Sequence, residues 1–181
     1  MSVSTTVDKA APAPLLGRVF AAADIFVLAF ALLLFGVGLW IFAAGTPAHW
    51  INLVYDDAYY YGGVARGIIE RGESSFAAPL ETNGYQPLWL ALITAVAFVF
   101  GHSPAAIAFE IYVLAWLFMF GFAWLSRRTF GVAFPALLAS LTFPLVMLYG
   151  LETCMLPVFF MLFMKADGWR SRGVLGSLLF L

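Results

Sequence analysis

The chain has 181 residues, of which 64% are hydrophobic and 10% charged, with a net charge of −1; its mean hydropathy of +0.96 lies far outside soluble globular usage. A balance so close to neutral supplies no basic field for nucleic acid and no acidic tail. The single cysteine, Cys154, excludes an intramolecular disulfide or a cysteine metal cluster.

What remains is an all-α integral membrane protein, and its elements can be read in order. Residues 1–18 are polar and rich in Ala and Pro, and read as a disordered cytoplasmic N-terminus. The apolar run 19–44 is too long for a cleaved signal peptide, so it reads as an uncleaved membrane anchor preceded by Lys9 and Arg18. A long external loop, 45–103, then carries most of the polar chemistry. Within it, Asp57, Tyr61, Val64 and Ile68 recur at helical spacing, which predicts a juxtamembrane helix over about 56–72. Asp56 and Asp57 suit its first turn, where free amides and the dipole stabilise a carboxylate, and Gly72 is a stop. A second juxtamembrane helix is expected over 87–101, opened by Pro87. At about 22 Å it falls short of the ~30 Å hydrocarbon core and fits an interfacial or re-entrant helix. Further spans are expected at 104–126, 130–149 and 151–166, with a partial one at 174–181. That count makes four full spans and the start of a fifth, which suggests a fragment of a longer protein.

Charge placement orients these segments. If 87–101 does not cross, then Lys9, Arg18, Arg127, Arg128, Lys165, Arg170 and Arg172 are cytoplasmic, and only Arg66 and Arg71 lie outside. This agrees with the positive-inside tendency. The same arrangement puts Asp56, Asp57 and Glu152 on one non-cytoplasmic face, where they could form a shared site. Glu110, inside the 104–126 span, is a candidate by virtue of its depth, with Arg66 or headgroups as possible partners. Asp24 reads as interfacial, and His49 and His102 lack zinc-ligand spacing.

The stretches "DDAYYYGGVARGIIERG", "TNGYQPLWLAL" and "YGLETCMLPVFF", in this order, resemble the N-terminal portion of GT-C superfamily glycosyltransferases. These are the polyprenyl-phosphate-sugar-dependent enzymes of the protein O-mannosyltransferase, aminoarabinose transferase and arabinofuranosyltransferase kinds. The resemblance implies a GT-C-like N-terminal module with catalytic Asp56, Asp57 and Glu152. Asp56 would be the base that deprotonates the acceptor hydroxyl, Asp57 its partner, and Glu152 the second-loop carboxylate. Substrate binding falls by the same likeness to Tyr85, Gln86 and Trp89. Arg66 is the external cation best placed for a lipid phosphate, because Arg71 has Glu70 and Glu73 beside it.

The implied donor is a polyprenyl-phosphate-linked sugar, and the implied setting is the bacterial inner membrane with the site facing the periplasm. A divalent cation (Mg, Mn or Ca) on Asp56, Asp57 and Glu152 is compatible with hard oxygen ligands. Because the family's folds contain further helices, a second polypeptide completing the fold is an expected partner. The alternative is a catalytically inactive truncated homologue or membrane assembly partner. A small transporter or channel would call for more polar residues along the spans.

Overall fold

The computed structural model describes residues 15–46, 53–54, 56–76, 86–142 and 152–179. Among them are seven α-helices, one short 3-10 turn and no strand. The helices are α1 (Leu15–Ala44), α2 (Asp56–Arg71), α3 (Pro87–Phe100), α4 (Pro104–Phe130), α5 (Phe134–Thr142), α6 (Leu156–Lys165) and α7 (Trp169–Leu179), with the 3-10 turn at Glu152–Cys154 before α6.

Two of these helices are long and apolar enough to cross a membrane, Gly17–Ala44 within α1 and Pro104–Phe130. They pair antiparallel along most of their length through aromatic side chains. Phe42 meets Phe109 with ring centroids 5.5 Å apart, and Phe35 stacks on Tyr112 at 5.8 Å. Gly38 leaves the room that the Tyr112 ring occupies between them, since a Cβ there would collide with the Tyr112 hydroxyl. That hydroxyl donates to the Phe35 carbonyl at 3.0 Å, so the pair is pinned by a polar contact as well as by packing. The opposite face of α1 is bare: Ile25, Phe26, Leu33 and Trp40 are all exposed.

Among the described residues two helices, not the four expected from the sequence, are long and apolar enough to span. The chain after α4 breaks at Gly131, which takes the left-handed conformation (φ 78°) that favours glycine. Helix α5 therefore starts at Phe134 with Pro135 in its first turn, not at 130, and residues 143–149 of the expected span lie outside the described ones. The expected span 151–166 is a 3-10 turn followed by the ten-residue α6 with Pro157 near its start, about 15 Å long. In place of a partial span at 174–181, α7 begins at Trp169 after Gly168 (φ 92°) and carries Arg170 and Arg172.

The two intervening helices match their expected bounds closely. Gly72 (φ 72°) and Gly101 (φ 129°) end α2 and α3 in backbone conformations that side chains disfavour. Ser103 caps α4 by accepting the Ala106 amide, so α3 and α4 form a hairpin joined through Gly101, His102 and Ser103. Trp89, fully buried, meets Phe118 at 6.2 Å, fourteen residues into α4. Helix α3 thus lies alongside the first half of α4, about 21 Å down its axis.

Candidate functional site

The site is built on α2, which sits against both members of the α3–α4 hairpin. Its buried side is Ala58, Tyr61, Gly62, Val64, Ala65 and Gly67, small residues and one tyrosine. At Gly62 a Cβ would lie 2.7 Å from Ile107 Cγ2, so glycine there sets how close α2 comes to α4. At Gly67 a Cβ would strike the backbone carbonyl of Ser75, which folds back over the helix end. Tyr61 ties the unit together: its hydroxyl accepts the Gln86 amide at 3.1 Å, one of the free donors at the start of α3.

Asp56 and Asp57 open the helix, and both are exposed. The Asp57 amide donates to Asp56 Oδ1 at 3.0 Å, so the Asp56 carboxylate sits at the positive end of the dipole with its other oxygen free of any hydrogen bond to the described residues. Further along, Arg66 Nε donates to Glu70 Oε1 at 2.7 Å. Glu70 also faces His102 Nε2 at 3.8 Å and Arg71 Nη1 at 4.0 Å. The Arg66 hydrogen bond is the main cause that holds the Glu70 carboxyl below the usual range; burial opposes it, and the charges of Arg66, His102 and Arg71 add to it. Arg71 Nη2 donates to the Ser75 carbonyl at 3.1 Å.

These groups frame a cleft of about 440 Å³ between α2 and the start of α4, with Arg66, Glu70 and Arg71 on one side and Pro104 and Ile107 on the other. Tyr59 and Phe76 complete it, and Phe76 stacks on Tyr60 at 5.5 Å. Burial pushes the Tyr59 hydroxyl up to about 12. Chemically, the cleft offers two guanidinium groups and aromatic walls, a combination suited to an anionic group carried on an apolar body.

The expected site residues fall unevenly around this frame. Asp56 and Asp57 are adjacent at the head of α2, and Arg66 lines the cleft. Gln86 is exposed at the N-cap of α3 and contributes its backbone to Tyr61. Trp89 has no exposed surface and belongs to the core between α3 and α4. Tyr85 and the Glu152 side chain lie outside the described residues. Among the described residues no group of three or more His, Cys, Asp or Glu side chains could hold a metal ion.

Arg66, expected to be the freer cation, is the one in closest contact with Glu70. The signal was present in the i, i+4 spacing of Arg66 and Glu70, which neighbours on a helix surface share. Glu110 does not meet Arg66; its carboxyl is buried without a hydrogen-bond partner among the described residues.

At the other end of the α1–α4 pair, Asp24 is buried within the protein. Its Oδ1 accepts the amides of Ala133 at 2.8 Å and Phe134 at 2.6 Å, and Oδ2 faces Arg127 at 3.7 Å. No family model matches the chain, and no curated protein or solved structure matches it.

Proposed function

We propose that the chain is a membrane glycosyltransferase, or the N-terminal part of one, that moves a sugar from a polyprenyl-phosphate donor to an acceptor hydroxyl on the non-cytoplasmic face of a bacterial inner membrane. The observation that carries this reading is α2 itself: a helix opened by two exposed carboxylates, with a cleft holding two arginines on its flank, packed against the α3–α4 hairpin, of which α4 is long and apolar enough to span. The resemblance of the loop stretches to those of GT-C glycosyltransferases points to the same chemistry.

In this reading Asp56 accepts the proton of the acceptor hydroxyl as the new glycosidic bond forms, and Asp57 sustains the local negative potential. The departing lipid phosphate is stable as an anion and needs cations, not an acid. Arg66 and Arg71 supply them: Arg66 has one nitrogen on Glu70, Arg71 has one on the Ser75 carbonyl and one facing Glu70, and each retains further N–H groups to donate. The antiparallel α1–α4 pair supports the orientation, because Arg127 meets Asp24 near the start of α1 and so shares that end with Arg18, as a cytoplasmic side requires.

Transfer of labelled sugar by membranes carrying the wild-type chain and Asp56→Asn tests the proposal. A positioned general base contributes about 10²–10⁴-fold, and a loss of that order is expected. Unchanged transfer in the variant would remove Asp56 as base.

A further inference from the structure

Between α3 and α4, on the side away from α2, runs a second cleft of about 480 Å³. Val96 and Phe100 of α3 form one wall, and Ala106, Glu110, Val113 and Leu117 of α4 form the other. With Phe109 and Leu114, which also line it, the α4 residues make one continuous face, at the three- and four-residue spacing by which helices pack. Val96 and Phe100 are themselves one turn apart. The rim is apolar and open, with Phe100, Phe109 and Leu117 exposed. One residue breaks the pattern. Glu110 is only 6% exposed, and neither of its carboxylate oxygens has a hydrogen-bond partner among the described residues.

An apolar rim is satisfied by lipid, but a carboxyl in that setting needs a donor. Its position decides what kind. Glu110 lies about 9 Å along α4 from Pro104, below the polar level marked by the exposed His102 and the Ser103 cap. A lipid headgroup would have to be drawn down to that depth, whereas a side chain on a neighbouring helix can supply a donor there directly. The donor that also matches a carboxylate's charge is a cation, and the described long helices of a second copy offer none at that depth: between Arg18 and Ala44 α1 has no basic residue, its exposed Trp40 supplies only a neutral indole N–H, and the arginines of α4 are Arg127 and Arg128 at its far end.

From this geometry we infer that the α3–α4 groove is the docking site for a transmembrane helix of another polypeptide segment, one that presents a lysine or arginine to Glu110. The inference depends on α4 being a membrane helix and is independent of the transfer chemistry. Its test therefore fails or succeeds separately from that of Asp56.

The full chain is reconstituted in phosphatidylcholine vesicles with either of two labelled leucine–alanine membrane peptides, one carrying a single lysine about 9 Å below the surface and one carrying leucine there. Energy transfer reports association. The wild type is expected to retain the lysine peptide about tenfold better, and Glu110→Gln, which keeps the side chain's shape, is expected to lose that preference. Val113→Trp fills the groove while the carboxyl of Glu110 is retained and should weaken both peptides; circular dichroism verifies that both variants remain folded. Equal binding of the two peptides by the wild type, or a preference that survives in Glu110→Gln, overturns the inference. Unaltered association in Val113→Trp removes the groove as the site. Loss of the preference on adding dodecylamine, with the amine retained by the wild type in place of the peptide, assigns the carboxyl to an amine lipid and overturns the helix partner.

Discussion

Replacing Asp24 by alanine should unfasten α5 from the α1–α4 pair. The amides of Ala133 and Phe134 occupy the N-cap and first positions of α5, where no intrahelical acceptor exists. Both donate to Asp24 Oδ1, at 2.8 and 2.6 Å, and the next residue, Pro135, has no amide to satisfy. A hydrogen bond to a charged group contributes about 1.5–3 kcal/mol and a lost cap costs about 0.5–2 kcal/mol. Because the two bonds share one oxygen and are not additive, about 2–4 kcal/mol is expected for Asp24→Ala. Arg127 contributes little to this sum: its side chain is 62% exposed and 3.7 Å away, and exposed pairs are worth about 0–1 kcal/mol. Asp24→Asn keeps an acceptor and should lose about half as much as alanine does. Hydrogen exchange in bicelles reads the effect directly, with faster exchange at Ala133 and Phe134 and little change along the middle of α4. Unchanged exchange at those two amides, or an Arg127→Ala variant as damaging as Asp24→Ala, would refute the reasoning.

Gly67→Ala pushes a methyl into the Ser75 backbone carbonyl, which cannot rotate aside, and should destabilise the α2 unit by about 1–3 kcal/mol; denaturant titration in micelles would register it. Trp89→Ala should cost about 3–5 kcal/mol, as expected for a fully buried tryptophan. If instead the variant melts like the wild type and only its KM for donor rises, Trp89 is a substrate contact. The Tyr59 hydroxyl ionises near 10 when unfolded and at about 12 in place. The neutral phenol's contribution is therefore complete below pH 10 and is lost as pH rises toward 12, so Tyr59→Phe should flatten an alkaline unfolding curve. For Glu70 the sign is opposite: its folded value is lowered, so its stabilising effect is present at neutral pH and disappears as acid protonates it. Arg66→Gln should weaken that acid dependence.

Local signals were the legible part of this molecule. Asp56 and Asp57, Pro87, Gly72 and Gly101 each act within one turn of chain, and α2 and α3 begin and end where those residues dictate. Hydropathy located α1 and the start of α4, but not the end of α4. Ser126 to Thr129 are polar yet continue the helix, because nothing stops it before Gly131 takes φ 78°. Counting apolar residues also overestimated the spans, since a run such as 151–166 contains Pro157 and a 3-10 turn that hydropathy does not register. The tertiary links stayed out of reach. Asp24 and Phe134 are separated by 110 positions, and no periodicity joins a carboxylate to amides that far along the chain. Trp89 illustrates a different limit: a residue type shared by cores and sugar sites carries no mark of which it serves, and only packing against Phe118 decides.

The α1–α4 pair is fastened at three heights: Asp24 to Arg127 and the start of α5, Tyr112 to the Phe35 carbonyl, and Phe42 against Phe109. A helix gripped at both ends and the middle cannot piston, because sliding by even one turn, about 5.4 Å, would release all three grips together. The pair is therefore a fixed post. Helix α2 is anchored separately, on the α3–α4 hairpin, through its buried face, the Tyr61–Gln86 bond and the contact of Glu70 with His102.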